Sequence, residues 1–414
     1  MNVKKENQVL AERSGSFLFN PVVEEMPDAL SIRFNQMVYD MQREGRQLTV
    51  LSLGEAFFDI PLFDFNVLNI TKSYHYSDSQ GIPELRRKIA KYYERYGVHA
   101  DPDTDILISA GSKPLIYMSM LAVLQPGEEV VVHEPCWLSY PEQARLCQAR
   151  TRFIPFDTPV AEFGRYLSPR TRVMILNNPN NPAGRVYTRT ELETLYGMCR
   201  EQNTYLMVDE AYSDFVLDGS FVSAGTLHPR RDNLIIVNSL SKNMGISGWR
   251  IGYVIGHPDF IRLLLKINQH VITCAPTILQ QYCAHYFDQL LECTLPQVKA
   301  VVEKRKRIAE CVRSLGLTCL PGASTFYFFI SIEGYPGTSM EFGLELLRNH
   351  AIAVVPGSAY GKSTDRFIRV GIGAEPDDKI CAALETIKKV ITQTRTSGTV
   401  FTSEQYLDES PPSV

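Results

Sequence analysis

No apolar run in this 414-residue chain is suited to crossing a bilayer. Runs such as VMIL (173–176) and LIIV (234–237) fall far short of the roughly twenty residues that a membrane helix needs. The first residues, MNVKKENQVLAERSG, carry basic groups with no apolar core behind them, so they lack the form of a secretory signal. A long block of one charge sign is also missing. With 42 Lys and Arg against 46 Asp and Glu, the net charge is −4, which argues against a nucleic-acid partner. Nine cysteines, at 136, 147, 199, 274, 283, 293, 311, 319 and 381, form no CxxC pair, and eight histidines supply no ligand cluster. A zinc module is thereby excluded, and buried, reduced thiols are expected, with no metal site. Repeats and low-complexity linkers are absent too. What remains is a soluble enzyme, expected in the cytoplasm, whose 44% apolar content is ample for a core.

Between about 105 and 256 the chain alternates short apolar runs with helical patterns. DILISA (105–110), EVVVH (129–133), RVMILNN (172–178), TYLMVD (204–209), LIIVNS (234–239) and RIGYVIG (250–256) read as strands. Most are nearly continuous in apolar residues, as strands covered on both faces should be. Helical patterns occupy 113–124, 140–149 and 189–202, and Pro126–Gly127 makes a turn between units. Such alternation implies βαβ units and a mostly parallel sheet. Beyond 256 a mostly helical stretch leads into a smaller α+β region with strands near 326–332, 352–355 and 367–371.

The unusual segments all lie where strands end, which is where open α/β sheets bind ligands. Gly111-Ser112-Lys113 stands at the mouth of a helix, where free N–H groups and the helix dipole attract a phosphate; the same residues also suit a plain helix cap. Asn177-Asn178-Pro179-Asn180-Asn181-Pro182-Ala183-Gly184 makes a tight loop that can aim side-chain amides at a ligand or serve only as a turn. Asp209 closes an apolar strand and needs a partner, either a structural Arg or Lys or a protonated heterocyclic nitrogen. Lys242 follows Ser239-Leu240-Ser241 and is either a solvated loop lysine or a desolvated amine fit for Schiff-base formation.

Taken together and in order, Gly-Ser-Lys (111–113), Trp137, Asn181-Pro182, Asp209-x-x-Tyr212, Ser239-x-Ser241-Lys242 and Arg250 resemble the motif set of the class I/II aminotransferases. These are fold-type I enzymes that use pyridoxal 5′-phosphate (PLP). YHYSDSQGIPELRRKIAKYY (74–93), PGASTFYFF (321–329), VVPGSAYG (354–361) and FIRVGIG (367–373) extend the resemblance over roughly residues 30–392. It implies a PLP-dependent transferase fold of type I: an α/β large domain with a mostly parallel central sheet, plus a smaller α+β domain. The implied division is an N-terminal arm (1–30), a segment serving the small domain and covering the substrate site (31–75), the large PLP-binding domain (76–295), the C-terminal small domain (296–394) and a disordered tail (395–414).

Residue by residue, the resemblance implies that Lys242 forms the Schiff base and moves the substrate proton. Asp209 would pair with the ring nitrogen, Tyr212 and Asn181 would bond the ring hydroxyl, and Trp137 would stack on the ring. Gly111, Ser112, Lys113, Ser239, Ser241 and Arg250 would hold the phosphate, joined by Tyr76 from a neighbouring subunit of a homodimer. Arg369 would clamp the substrate α-carboxylate, with Asn181, Gly54, Glu55, Ala56 and Phe57 over the substrate. Three places in the chain depart from the family pattern. Ala183 replaces the usual Thr, Cys136 replaces an aromatic, and Ala56-Phe57-Phe58 stands where Pro-Asp-Phe is common, which implies altered side-chain preference. The implied activity is amino-group transfer between an L-amino acid and a 2-oxo acid. A PLP-dependent lyase, replacement enzyme or cyclase on the same residues stays open.

Overall fold

The computed structural model describes residues 19–397. After a helical turn at Pro21–Glu24, helix α1 (Leu30–Arg43) leads into the two-residue strand β1 (Thr49–Val50). Helix α2 (Pro83–Tyr93) precedes the central sheet, whose seven strands are β2 (Ile106–Ser109), β3 (Glu129–His133), β4 (Arg150–Ile154), β5 (Thr171–Asn177), β6 (Tyr205–Asp209), β7 (Leu234–Ser239) and β8 (Gly252–Gly256). Their spatial order is β2-β8-β7-β6-β5-β3-β4, with β8 antiparallel to both neighbours and the other pairs parallel.

The near-continuous apolar strands are explained by helices on both faces. Val131, Met174, Val208 and Ile236 point to one side, into a core with Leu85 and Ile89 of α2 and with Leu192 and Leu195 of α5 (Arg189–Glu201). Their chain neighbours Val130, Val132, Val173, Met207 and Val237 point to the other side. There they meet Leu115 and Ile116 of α3 (Ser112–Val123), Ala144 of α4 (Ser139–Leu146) and Leu264 of α6 (Pro258–Val271). Helix α5 begins where its sequence says it should, at a reciprocal capping box between Thr188 and Glu191.

Strand β4 is the one central strand that the apolar pattern does not announce. Its sequence, Arg-Thr-Arg-Phe-Ile, has one exposed and three half-buried residues before Ile154. It is one of the sheet's two edge strands, and polar groups on an edge oppose further pairing; the other edge, β2, is buried.

Helix α7 (Thr277–His285) leads into the long α8 (Phe287–Ser314), which runs through Pro296, so a boundary drawn between 295 and 296 falls inside a continuous helix. A second core then forms around a three-stranded antiparallel sheet in the order β11-β12-β9, where β9 is Tyr327–Ser331, β11 is Val355–Pro356 and β12 is Phe367–Gly371. Helices α8, α9 (Ser339–His350) and α10 (Asp377–Ser397) pack on it through residues such as Val302, Ile308, Leu346, Leu384 and Ile387. Strand β1 pairs in parallel with β10 (Ile352–Ala353), while Phe34 and Val38 of α1 pack with Leu347 and Ala353. The early segment is thereby bound to the C-terminal region. Residues 1–18 of the expected arm and 398–414 of the expected tail lie outside the described residues, and α10 continues through Arg395. Among the described residues, no helix is long and apolar enough to cross a membrane.

Candidate active site

The carboxyl ends of β5, β6 and β7 open into a cavity of about 750 Å³. It brings together Ser112, Lys113, Trp137, Asn181, Asp209, Tyr212, Ser239, Ser241, Lys242 and Arg250 from the central sheet, Arg369 from β12, and Gly54, Glu55 and Phe57 from the segment after β1. Residues almost 320 positions apart share one wall because β1 is bound to β10: Arg369 Nη2 donates to the Ser52 carbonyl at 2.6 Å.

At one end, α3 starts with no side-chain cap, leaving its first N–H groups directed at the cavity mouth. Gly111 precedes it at φ +93°, and a Cβ there would overlap the Arg250 guanidinium. A Cβ on Gly252 would overlap the Ser112 backbone nitrogen, so two glycines let an arginine, a strand and a helix mouth converge. Arg250 is anchored by Nη1 to the Ser247 carbonyl at 2.7 Å. Lys113 lies 5.1 Å from the Trp137 ring centroid, and burial and the nearby Arg250 lower its pKa.

At the other end, Asp209 is buried, and no lysine or arginine among the described residues closes an ion pair with it. It accepts instead from the Tyr140 hydroxyl at 2.8 Å and from the Ala211 N–H at 3.1 Å. Burial raises its pKa, while these two hydrogen bonds and Lys242 oppose the rise. The Asn loop is rigid: Asn181 N–H donates to Asn177 Oδ1 at 2.5 Å, and Ala183 N–H donates to Asn180 Oδ1 at 3.0 Å. The turn therefore closes without the hydroxyl that Ala183 lacks. Asn181 Nδ2 reaches the Tyr212 hydroxyl at 3.4 Å, which in turn lies 3.0 Å from that of Tyr327.

Between the two ends, Lys242 Nζ donates to the Gly54 carbonyl at 2.7 Å. Burial lowers its pKa to about 8, helped by Arg369 and Arg250 and opposed by Glu55 and Asp209. Arg369 is buried, with Nη1 3.4 Å from Asn181 Oδ1 and its guanidinium carbon 4.5 Å from the Tyr327 ring centroid. Its Nε has no partner, and no carboxylate among the described residues pairs with it. A buried cation of this kind is costly unless an anion joins it.

Three expected residues lie elsewhere. Gly111 borders the cavity without lining it. Ala56 packs against the C-terminal core instead of facing a substrate, and Phe58 does the same, so Phe57 alone of the two phenylalanines reaches the cavity. Tyr76 is 85% exposed and lines a separate open depression with Cys274 and Thr277. The structure adds Tyr140, Asn177, Ser52, Tyr327 and one face of α1. Tyr140 had a signal, since it stands three residues after Trp137 and thus one helical turn away.

Residues 38–387 match the family model described as "Aminotransferase class I and II". The chain belongs to this family. The aminotransferase is 30% identical to (5-formylfuran-3-yl)methyl phosphate transaminase of Methanocaldococcus jannaschii, over 85% of this chain and 93% of that protein. It is 28% identical to aromatic-amino-acid aminotransferase 2 of Thermococcus litoralis, over 86% of this chain and 94% of that one. Among solved structures it resembles aspartate aminotransferase from Thermus thermophilus with maleate, at TM-score 0.83 and 25% identity, covering 90% of this chain and 100% of that chain.

As a class I and II aminotransferase the chain uses PLP, and its residues fit that group. The open helix mouth with Arg250 and three serines suits a phosphate, the buried carboxylate of Asp209 suits a protonated nitrogen, and a lysine stands between them. Only a neutral amine attacks an aldehyde, so the Lys242 value sets a pH dependence. The rate at which cofactor-free aminotransferase captures added PLP should rise about tenfold per pH unit below about 8 and level off above it. Stopped-flow absorbance checks this; levelling only above pH 10 would show an amine as basic as a solvated lysine.

Proposed function

We propose that this aminotransferase moves an amino group between an L-amino acid and a 2-oxo acid, with Lys242 as the proton-moving residue and Arg369 as the α-carboxylate clamp. The observation that carries the reading is the buried, anion-free guanidinium of Arg369 opening into the same cavity as the amine of Lys242. Ser112, Lys113, Ser239, Ser241 and Arg250 would hold the PLP phosphate. Asp209 would hold the ring nitrogen, Trp137 the ring face, and Tyr212 and Asn181 the ring hydroxyl. When bound, PLP supplies an electron sink for negative charge at the substrate Cα.

The chain's own part is to orient the substrate and handle the proton. Arg369 offers Nη1, Nη2 and the unpartnered Nε to a carboxylate, which fixes the substrate at one end. Lys242 Nζ, with a pKa lowered to about 8, can take up and return a proton near neutral pH. Tyr140 and Ala211 donate to the buried Asp209 carboxyl and oppose the rise in pKa that burial causes. Tyr140→Phe should therefore raise the Asp209 pKa and lower kcat/KM by roughly tenfold, in line with a lost hydrogen bond to a charged group. The pH dependence of the bound cofactor's absorbance checks this; an unshifted profile would limit Tyr140 to packing.

The same reading includes a homodimer in which Tyr76 reaches the neighbouring phosphate site. It is supported by the exposure of Leu62, Val67, Tyr74 and Tyr76, an apolar surface that a second copy would cover. It also includes a cytoplasmic location, supported by nine free cysteines, and the division into a large domain (76–295) and a small one (296–394), with 31–75 contributing to the small domain and to the cover of the substrate site. The test of the activity is a half-reaction: PLP-loaded protein mixed with single amino acids and no 2-oxo acid. Stoichiometric conversion of the cofactor to pyridoxamine phosphate with release of one 2-oxo acid is expected. Repeated turnover with the cofactor returning to its starting spectrum would instead identify a lyase, replacement enzyme or cyclase.

A further inference from the structure

The cavity extends past the residues that serve the cofactor and the α-carboxylate. One face of α1 lines it, with Ile32, Asn35, Val38 and Tyr39 recurring at helical spacing, and Phe57 stands at its rim. Ile32, Tyr39 and Phe57 keep 58%, 50% and 66% of their surface exposed, so apolar area is available to a bound side chain. The lining cations among the described residues are Lys113, Lys242, Arg250 and Arg369. Arg250 sits against Gly111, Lys113 stands at the mouth of α3 over Trp137, Lys242 bonds the Gly54 carbonyl, and Arg369 is the clamp. The α1 face contributes no cation. The 54–57 segment contributes a carboxylate, Glu55, which accepts from the Ser247 hydroxyl at 2.7 Å.

We propose that the amino-acid substrate carries an uncharged side chain with an aromatic or branched aliphatic body, and that aspartate and glutamate are discriminated against. This rests on the transaminase reading of the same site. A distal carboxylate placed along α1 would lose water without gaining a cation from that face, in a cavity that also holds the Glu55 carboxylate. A phenyl or isobutyl group gains by covering Ile32, Tyr39 and Phe57.

The test uses PLP-loaded full-length protein. Single-turnover half-reactions are run with L-phenylalanine, L-leucine, L-alanine, L-aspartate, L-glutamate and L-arginine. Titration calorimetry compares two unreactive acids, 3-phenylpropanoate and succinate. Phenylalanine or leucine should exceed aspartate, glutamate and arginine by about tenfold or more in rate per concentration, and 3-phenylpropanoate should bind about tenfold tighter than succinate. Phe57→Ala should lower the phenylalanine-to-alanine ratio several-fold, and Glu55→Gln should raise the aspartate-to-phenylalanine ratio. Faster aspartate or glutamate, or tighter succinate, overturns the inference and leaves transamination standing. Faster arginine also overturns it and makes Glu55 an ion-pair partner. If no amino acid converts the cofactor, the transaminase reading fails and this inference fails with it.

Discussion

Lys242→Ala is expected to lower turnover by about 10⁴-fold or more while leaving the fold intact. A positioned proton carrier contributes roughly 10²–10⁴-fold, and in the proposed reading this lysine is also the nucleophile toward the cofactor. Among the described residues no other amine can stand in for it. Lys113 is at the helix mouth over Trp137, whereas Lys242 Nζ sits on the Gly54 carbonyl between Asp209 and Arg369. Removing it deletes one hydrogen bond and relieves a crowded set of positive groups, so the melting temperature should hold or rise. Two measurements check this: single-turnover absorbance with an amino acid, and thermal unfolding of the cofactor-free protein. The visible band of the lysine-linked cofactor should vanish once free PLP is removed. Retention of that band, or of more than about a hundredth of the rate, would remove Lys242 from its role.

Arg369→Ala is expected to lower kcat/KM for amino acids by about 10²–10⁴-fold and to change PLP affinity far less. Each charge-assisted bond to a carboxylate is worth about 1.5–3 kcal/mol, and the guanidinium can make two at once. The variant should be no less stable than the parent. Arg369 is a buried cation whose Nε lacks a partner and whose other contacts are a carbonyl, an amide and two tyrosine rings. Desolvation of such a group is a cost that Tyr360, Tyr327 and Tyr212 already oppose and that a bound anion offsets further. Arg369→Lys should recover only part of the loss, because an ammonium cannot reproduce the planar fork. Titration of cofactor and of an unreactive carboxylic acid into the variant separates the two effects. Equal losses for both would make Arg369 a structural residue.

Much of the site was readable along the chain because each βα unit delivers its ligand-facing residues at the end of an apolar strand. Asp209, Asn181 and Lys242 stand there by position, and the cavity gathers them as expected. The residues that were not readable arrive by other routes. Tyr140 lies on a helix and touches Asp209 from a different unit, 69 positions away. The α1 face reaches the cavity through packing on Leu347 and Ala353, and nothing local to residues 30–43 points to that. Ala56 and Phe57 are neighbours in an extended segment whose alternate residues face opposite ways, so one packs into the core and the other lines the cavity. Edge strand β4 escaped the apolar pattern because an edge strand need not be apolar.

The sequence by itself determined six of the seven sheet strands, their two-sided covering, the family and many of the residues that gather in the cavity. These depend on local order, on which residues follow which strand, and local order is what a chain records. Tertiary structure alone decided that Arg369 is buried without an anion, that Lys242 has a pKa lowered to about 8, and that an uncharged face of α1 lines the cavity. Each of these depends on desolvation and on groups hundreds of residues apart, brought together when β1 pairs with β10.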